Sequence, residues 1–215
     1  MTGTAPRAVV LSGGDDEVTD AVVRALRDAG SHADLVNDVG SVACVLAHRA
    51  DAVTTAVYVP GLLASDEQSG DPDPAGTLLD YVTALGPNLR AVADGGSRVV
   101  AVGSRDWLGW PNRPRTAARS AALVATVRSL ALAHGRAGVT VNAVLGLPLD
   151  AAARREAGVV PGTHLHEPLP LTGTPVLAED IAATVAFFLD ERSGYITGQV
   201  LHCCGGASLL SSLSV

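Results

Sequence analysis

With 215 residues, 47% of them apolar and 3% aromatic, the chain is long enough for one sizeable core and too short for two comfortable ones, so a single domain over residues 1–215 is expected. The formal charge is −7 and every basic residue is arginine, with no lysine anywhere; partners met through clustered positive charge, nucleic acid and anionic membrane surfaces, are excluded on that balance. No apolar run approaches the roughly 18 residues of a spanning helix, the first residues lack a secretory pattern, and Cys44, Cys203 and Cys204 show no framework spacing, which together give a cytoplasmic expectation.

Ala8 to Leu11 is a continuous apolar run, the pattern of a parallel strand buried on both faces, and it ends in Ser12, Gly13 and Gly14. Val18, Val22, Val23 and Leu26 then share one face of a helix that Gly30 stops. His32 to Val36 reads as a second strand. Residues 37 to 55 separate it from the run Ala56 to Val59, which leaves room for one helix around Ser41 to Arg49. A polar, acidic loop from Ser65 to Pro74 leads into a helix from about Ala75 to Ala93, which Gly86 and Pro87 should kink or interrupt. Arg98 to Val102 is the next strand, Arg115 to His134 a long helix, Thr140 to Val144 a strand, Asp180 to Asp190 a helix, and Gln199 to Cys203 the last strand.

Two blocks carry a family pattern. Glu179 to Leu189 is an amphipathic helix followed by Ser193-Gly-Tyr-Ile-Thr-Gly-Gln-Val-Leu-His-Cys-Cys-Gly-Gly206, and this run resembles the short-chain dehydrogenase/reductase family, in which a helix precedes "yITGQvl.vdGG" and the final strand. Ser97 to Ser104 is similar to the strand that delivers the family's catalytic serine, and Val139 to Val144 to its "irvNaV" strand. The resemblance implies an α/β fold, a Rossmann-like doubly wound parallel sheet with helices on both faces. Where the family has a helix, a strand and another helix, residues 37 to 55 hold one helix only. The third family strand is therefore expected to be missing, leaving about six strands in spatial order 2-1-3-4-5-6.

The resemblance also sets expectations for the sites. The family's cofactor turn is "TGxxxGIG"; here Ser12, Gly13 and Gly14 are its vestige, while Glu17 and Thr19 stand where the later glycines let a pyrophosphate approach the helix end. Phosphate would also meet Asp15, Asp16 and Glu17. One carboxylate about 4 Å from a phosphate charge costs about 4 kcal/mol at an effective dielectric near 20, roughly three decades of affinity. The same acids suit a helix N-terminus, so they also read as caps. In the family the catalytic serine works with a tyrosine and with a lysine four positions later. Ser104 remains, one residue closer than usual, whereas Thr116 and Ser120 take the places of tyrosine and lysine. Without an ammonium to lower a phenol's pKa, hydride transfer lacks its proton donor. Of the three tyrosines only Tyr58 aligns near the cleft, and the family's "PG" after the next strand becomes Leu145-Gly-Leu-Pro148.

Two functions follow as expectations. In the first, the chain is a catalytically degenerate subunit that binds no cofactor itself and assembles with an active, NAD(P)H-dependent partner of the same family, of ketoreductase type, or with itself as a homo-oligomer. The alanine-rich faces of residues 115–134 and the apolar end after Gly205 would serve that assembly. In the second, the former substrate cleft runs a cofactor-independent dehydration, cyclisation or isomerisation with Ser104, Asp106, Thr116, His164 and His166, beside Trp107 and Trp110. His164, His166, His202, Cys203 and Cys204 supply metal-ligand types, but without a CxxC spacing no metal site is expected.

Overall fold

In chain order the elements are β1 (Arg7–Ser12), α1 (Asp16–Asp28), β2 (His32–Val36), α2 (Gly40–Ala47), β3 (Val53–Val59), α3 (Pro74–Leu85), β4 (Ser97–Ser104), α4 (Pro114–His134), β5 (Val139–Gly146), α5 (Ala178–Leu189) and β6 (Val200–Cys203). This computed structural model describes residues 5–14, 16–48, 51–64, 70–149, 160, 162–163, 165–167 and 169–210. All strand pairings are parallel, in the order β2-β1-β3-β4-β5-β6, as the short interval after the second strand predicts. Every residue of β1, β3, β4 and β5 is buried, whereas β2 and β6 are partly exposed edges. Alternate side chains serve two cores. Val10, Val57, Val100 and Val144 pack under α1 and α5, while Val9, Tyr58, Val99 and Val141 pack under α2, α3 and α4.

The helix expected from Ala75 to Ala93 ends at Leu85, and two short 3-10 turns, Gly86–Asn88 and Val92–Asp94, replace its second half. Proline at 87 has no N–H for an α-helical bond, so the chain leaves the helix there. β3 begins at Val53, three residues before the apolar run that announces it. Thr54 extends the strand by donating its hydroxyl to the Arg7 carbonyl (2.8 Å). Arg7 itself is buried at the start of β1. Its Nε–H bonds Asp34 on β2 (3.2 Å) and one Nη donates to the Val45 carbonyl near the end of α2 (2.8 Å). The helix that stands in for three family elements is thus tied to the sheet by a charged side chain at its C-terminal turn.

The segment from Ile196 to Gln199, the centre of the family pattern, latches β6 onto β5. Asn142 Nδ2 donates to the Ile196 carbonyl (2.8 Å), and its Oδ1 accepts from Gln199 N–H (3.0 Å). Thr197 Oγ1 accepts from Val141 N–H (3.0 Å), and Gly198, at φ +69°, donates to the Val141 carbonyl (2.8 Å). The motif's residue types are those this turn requires.

Candidate active-site region

In a doubly wound sheet ligands bind beyond the C-terminal ends of the strands, where the strand order reverses; here that switch point lies between β1 and β3. Gly13 N–H donates to the Val59 carbonyl (2.7 Å), and a Cβ at Gly13 would lie 2.9 Å from Pro60 Cα, so the turn after β1 sits hard against the end of β3. Gly70 closes the same place from the other side. A Cβ there would fall 2.5 Å from the carbonyl oxygens of Pro60 and of Gly61, and its φ of +78° suits glycine. Asp71 N–H donates to the Pro60 carbonyl (2.7 Å), and the Asp71 carboxylate accepts from the Tyr58 hydroxyl (2.5 Å) and from Asp73 N–H (2.8 Å). Residues 70–73 therefore form a strap whose backbone interlocks with the crevice where a dinucleotide would approach. The Ser12 hydroxyl, in the same turn, shares a hydrogen bond with that of Thr19 (3.0 Å). Glu17 is exposed on the first turn of α1; Asp15 lies outside the described residues.

Beyond β4 the chain makes a 3-10 turn, Arg105–Leu108, that Ser104 caps by accepting Asp106 N–H (3.2 Å). Arg105 and Asp106 are 1% and 0% exposed. Asp106 accepts from Arg113 Nε at 2.6 Å and lies 3.5 Å from Arg105 Nη1. Arg113, one residue before α4, also pairs with Glu167, whose second oxygen accepts the Trp110 indole N–H (2.8 Å). Arg105 lies over the Trp110 ring, 5.1 Å from its centre. Two arginines and two carboxylates make this cluster neutral as a unit, and it pins the connection between β5 and α5 to the mouth of α4. Burial pushes the Arg105 pKa down, against the neighbouring Asp106 charge, which raises it.

Trp107 donates its indole N–H to His202 Nε2 (2.9 Å). An indole can only donate, so His202 Nε2 is unprotonated, and burial followed by the Arg105 charge pushes the imidazole's pKa down. Glu167 and the His202 bond escape a sequence reading because their partners Arg113 and Trp107 lie 54 and 95 positions away. The local signal is modest: Arg113 immediately precedes a proline that starts a helix.

Comparison with known proteins places the chain. Residues 79–208 match the family described as enoyl-(acyl carrier protein) reductase. The chain is 34% identical over 209 residues to (2S)-[(R)-hydroxy(phenyl)methyl]succinyl-CoA dehydrogenase subunit BbsC of Thauera aromatica, covering 91% of this chain and 78% of that one. It belongs to the short-chain dehydrogenase/reductase family. Subunit BbsD of the same dehydrogenase is 37% identical over 116 residues, 53% of this chain and 46% of that one. The crystal structure of the NADH-dependent enoyl-[acyl-carrier-protein] reductase from Aquifex aeolicus shares the fold, with a TM-score of 0.75 at 15% identity over 96% of this chain and 98% of that one.

Within the short-chain dehydrogenase/reductase fold, Ser104 ends β4 and Thr116 and Ser120 lie in the first two turns of α4, all of them buried. The Ser120 hydroxyl, which in sequence aligns with the family's lysine, accepts the Ser104 backbone N–H (3.1 Å). Tyr58 does not face this place. It lies in the core under α3, where burial and the Asp71 carboxylate raise its pKa well above the usual phenol range. Tyr81 donates to the Val9 carbonyl (2.9 Å), and burial likewise raises its pKa. Of the loop histidines, His166 is exposed to solvent and His164 lies outside the described residues. Beside Trp110 an open depression of about 740 Å³ runs between Leu108 to Ala117 and Gly162 to Leu165. Among the described residues, no three His, Cys, Asp or Glu side chains converge as metal ligands, and no helix is long and apolar enough to cross a membrane.

Proposed function

We propose that this chain is a non-catalytic subunit, assembled with an active short-chain dehydrogenase/reductase that holds NAD(P)H and reduces or oxidises a carbonyl or hydroxyl group. The observation that carries the reading is the buried hydroxyl of Ser120, bonded to the Ser104 amide where the family places a lysine ammonium. A hydroxyl in that bond neither carries charge nor lowers the pKa of a neighbouring donor, and Thr116 has no accessible pKa to lower. The strap of residues 70–73 supports the same conclusion for the cofactor, since a pyrophosphate would have to displace backbone bonded to Pro60. A cofactor-independent reaction would first have to free Asp106 from two arginines and Ser104 from its cap.

Assembly is supported by the names of the relatives, since BbsC and BbsD are both subunits of one dehydrogenase. Two surfaces suit it. Ala118, Ala122 and Ala125 lie exposed along α4 and Leu79 on α3, and Leu177 just before α5, Phe187 on α5 and Leu201 on β6 are exposed. Small side chains let a facing helix approach closely, and exposed apolar area of this kind favours burial against a partner. Native mass spectrometry of the protein isolated from its source cells tests the reading. Recovery with a second chain of similar size in equal amounts is expected, with Ala125→Glu abolishing the association and Thr116→Ala leaving it intact; recovery as a pure homo-oligomer would overturn it.

A further inference from the structure

At the opposite end of the sheet, three neighbouring strands place Thr55, Arg98 and Thr140 side by side in register. All three are buried polar residues on the face under α5. Arg98, 7% exposed, donates to the carbonyls of Asp190 (3.0 Å), Glu191 (3.0 Å) and Gly95 (3.4 Å). Carbonyl dipoles at a helix end stabilise a guanidinium but leave its charge, and two of its five N–H groups remain. Among the described residues Arg98 has no carboxylate within ion-pair distance. The carboxylates of the two residues whose carbonyls it meets pair with other arginines, Asp190 with Arg192 (2.7 Å) and Glu191 with Arg90 (4.0 Å), although Asp190 still interacts with the Arg98 charge at longer range. A buried guanidinium with no carboxylate bonded to it among the described residues is unusual, as is the buried hydroxyl beside it: Thr140, 9% exposed, has no hydrogen-bond partner for Oγ1 among the described residues.

Arg98 and Thr140 together line a cavity of about 410 Å³, walled by Val92, Gly95, Gly138 and Tyr195. Arg90 adds a second positive group at its edge, its Nη1 lying 3.3 Å from where a Cβ on Gly95 would be. We infer that this cavity binds a small oxyanion, a phosphate or carboxylate group, which accepts from the free N–H groups of Arg98 and from the Thr140 hydroxyl. The cavity is larger than a bare anion, and Val92 and Val139 offer apolar wall to a short organic body. The site lies at the N-terminal ends of the strands, away from the active-site region, and the inference does not depend on the subunit reading.

Thermal unfolding and isothermal titration calorimetry with sodium phosphate and sodium acetate, at ionic strength held constant with chloride, provide the test. A saturable rise in Tm with one of them, absent with chloride, is expected, and which anion acts distinguishes a phosphate from a carboxylate ligand. Thr140→Val should fold with an unchanged or higher Tm in chloride, since it removes an unpaired hydroxyl, and should bind the anion about fivefold more weakly. Thr55→Val, next to Arg98 but outside this cavity, should bind it unchanged. Failure of both anions to saturate, an affinity untouched by Thr140→Val, or an equal loss with Thr55→Val would each overturn the assignment.

Discussion

Replacing Asp106 by alanine should be among the most destabilising single changes in this chain. The carboxylate is fully buried, accepts a 2.6 Å bond from Arg113 and lies 3.5 Å from Arg105. Its loss leaves Arg113 with Glu167, but strips Arg105 of the only ion-pair partner it has among the described residues, while that side chain remains 1% exposed and its Nε has no bond among them. Breaking one side of a buried pair costs about 3–5 kcal/mol, because the remaining charge stays desolvated. For a chain of this length, 1 kcal/mol moves Tm by about 2–4 °C, so a drop on the order of 10 °C is expected. Glu167→Gln, at a partly exposed position, keeps one acceptor oxygen for Arg113 or for the Trp110 indole and turns an amide N–H toward the other donor, and should cost about 1–2 kcal/mol. Urea denaturation of both variants, with the slope checked against the parent, gives the two values. A cost below about 1 kcal/mol for Asp106→Ala, or equal costs for the two variants, would show that the cluster is not the closed buried network described above.

Tyr58 and Tyr81 carry pKa values raised by burial, so each holds its proton more tightly folded than unfolded. Their contribution is fully present below the unfolded-state value near 10 and is lost as pH rises toward the folded values. The stability curve should fall above about pH 10 by as much as ~2.7 kcal/mol per pH unit for the pair, with two phenolates appearing at 295 nm only on unfolding; phenolate absorbance from both in a still-folded protein would contradict this. Asn142→Leu removes both bonds of the latch to Ile196 and Gln199 and should cost about 2–3 kcal/mol, with the Gln199 amide losing its hydrogen-exchange protection; full protection in the variant would place the latch elsewhere.

The fold was largely legible because its evidence is local. Apolar runs such as Ala8 to Leu11 and Val99 to Val102 announce strands buried on both faces, and the 19 positions from 37 to 55 are too few for the family's full crossover, which fixes the strand order. Arg7 was not legible: a charge in a strand reads as an edge or an exposed end until the carbonyls of α2 are placed around it. The candidate site was legible only in its residue types. Ser104, Thr116 and Ser120 could be aligned, but that the Ser120 hydroxyl meets the Ser104 amide depends on how α4 docks. The ion cluster joins Asp106 to Glu167 through Arg113, and no periodicity reports such a pairing. The strap was hidden in the same way, since Gly70 and Asp71 look like loop residues until Pro60 and Tyr58 are found beside them.

The missing strand has an evolutionary consequence. A tyrosine or a lysine can return to positions 116 and 120 by single substitutions, but a parallel strand cannot be added without a complete crossover of at least about ten to twelve residues inserted in one piece. Between β2 and β3 that length is occupied by α2, which Arg7 fastens to the sheet. Single substitutions at those positions leave a lineage on the near side of a step that point mutation cannot reverse, so the shortened sheet marks it more durably than any residue aligned with the family's active site.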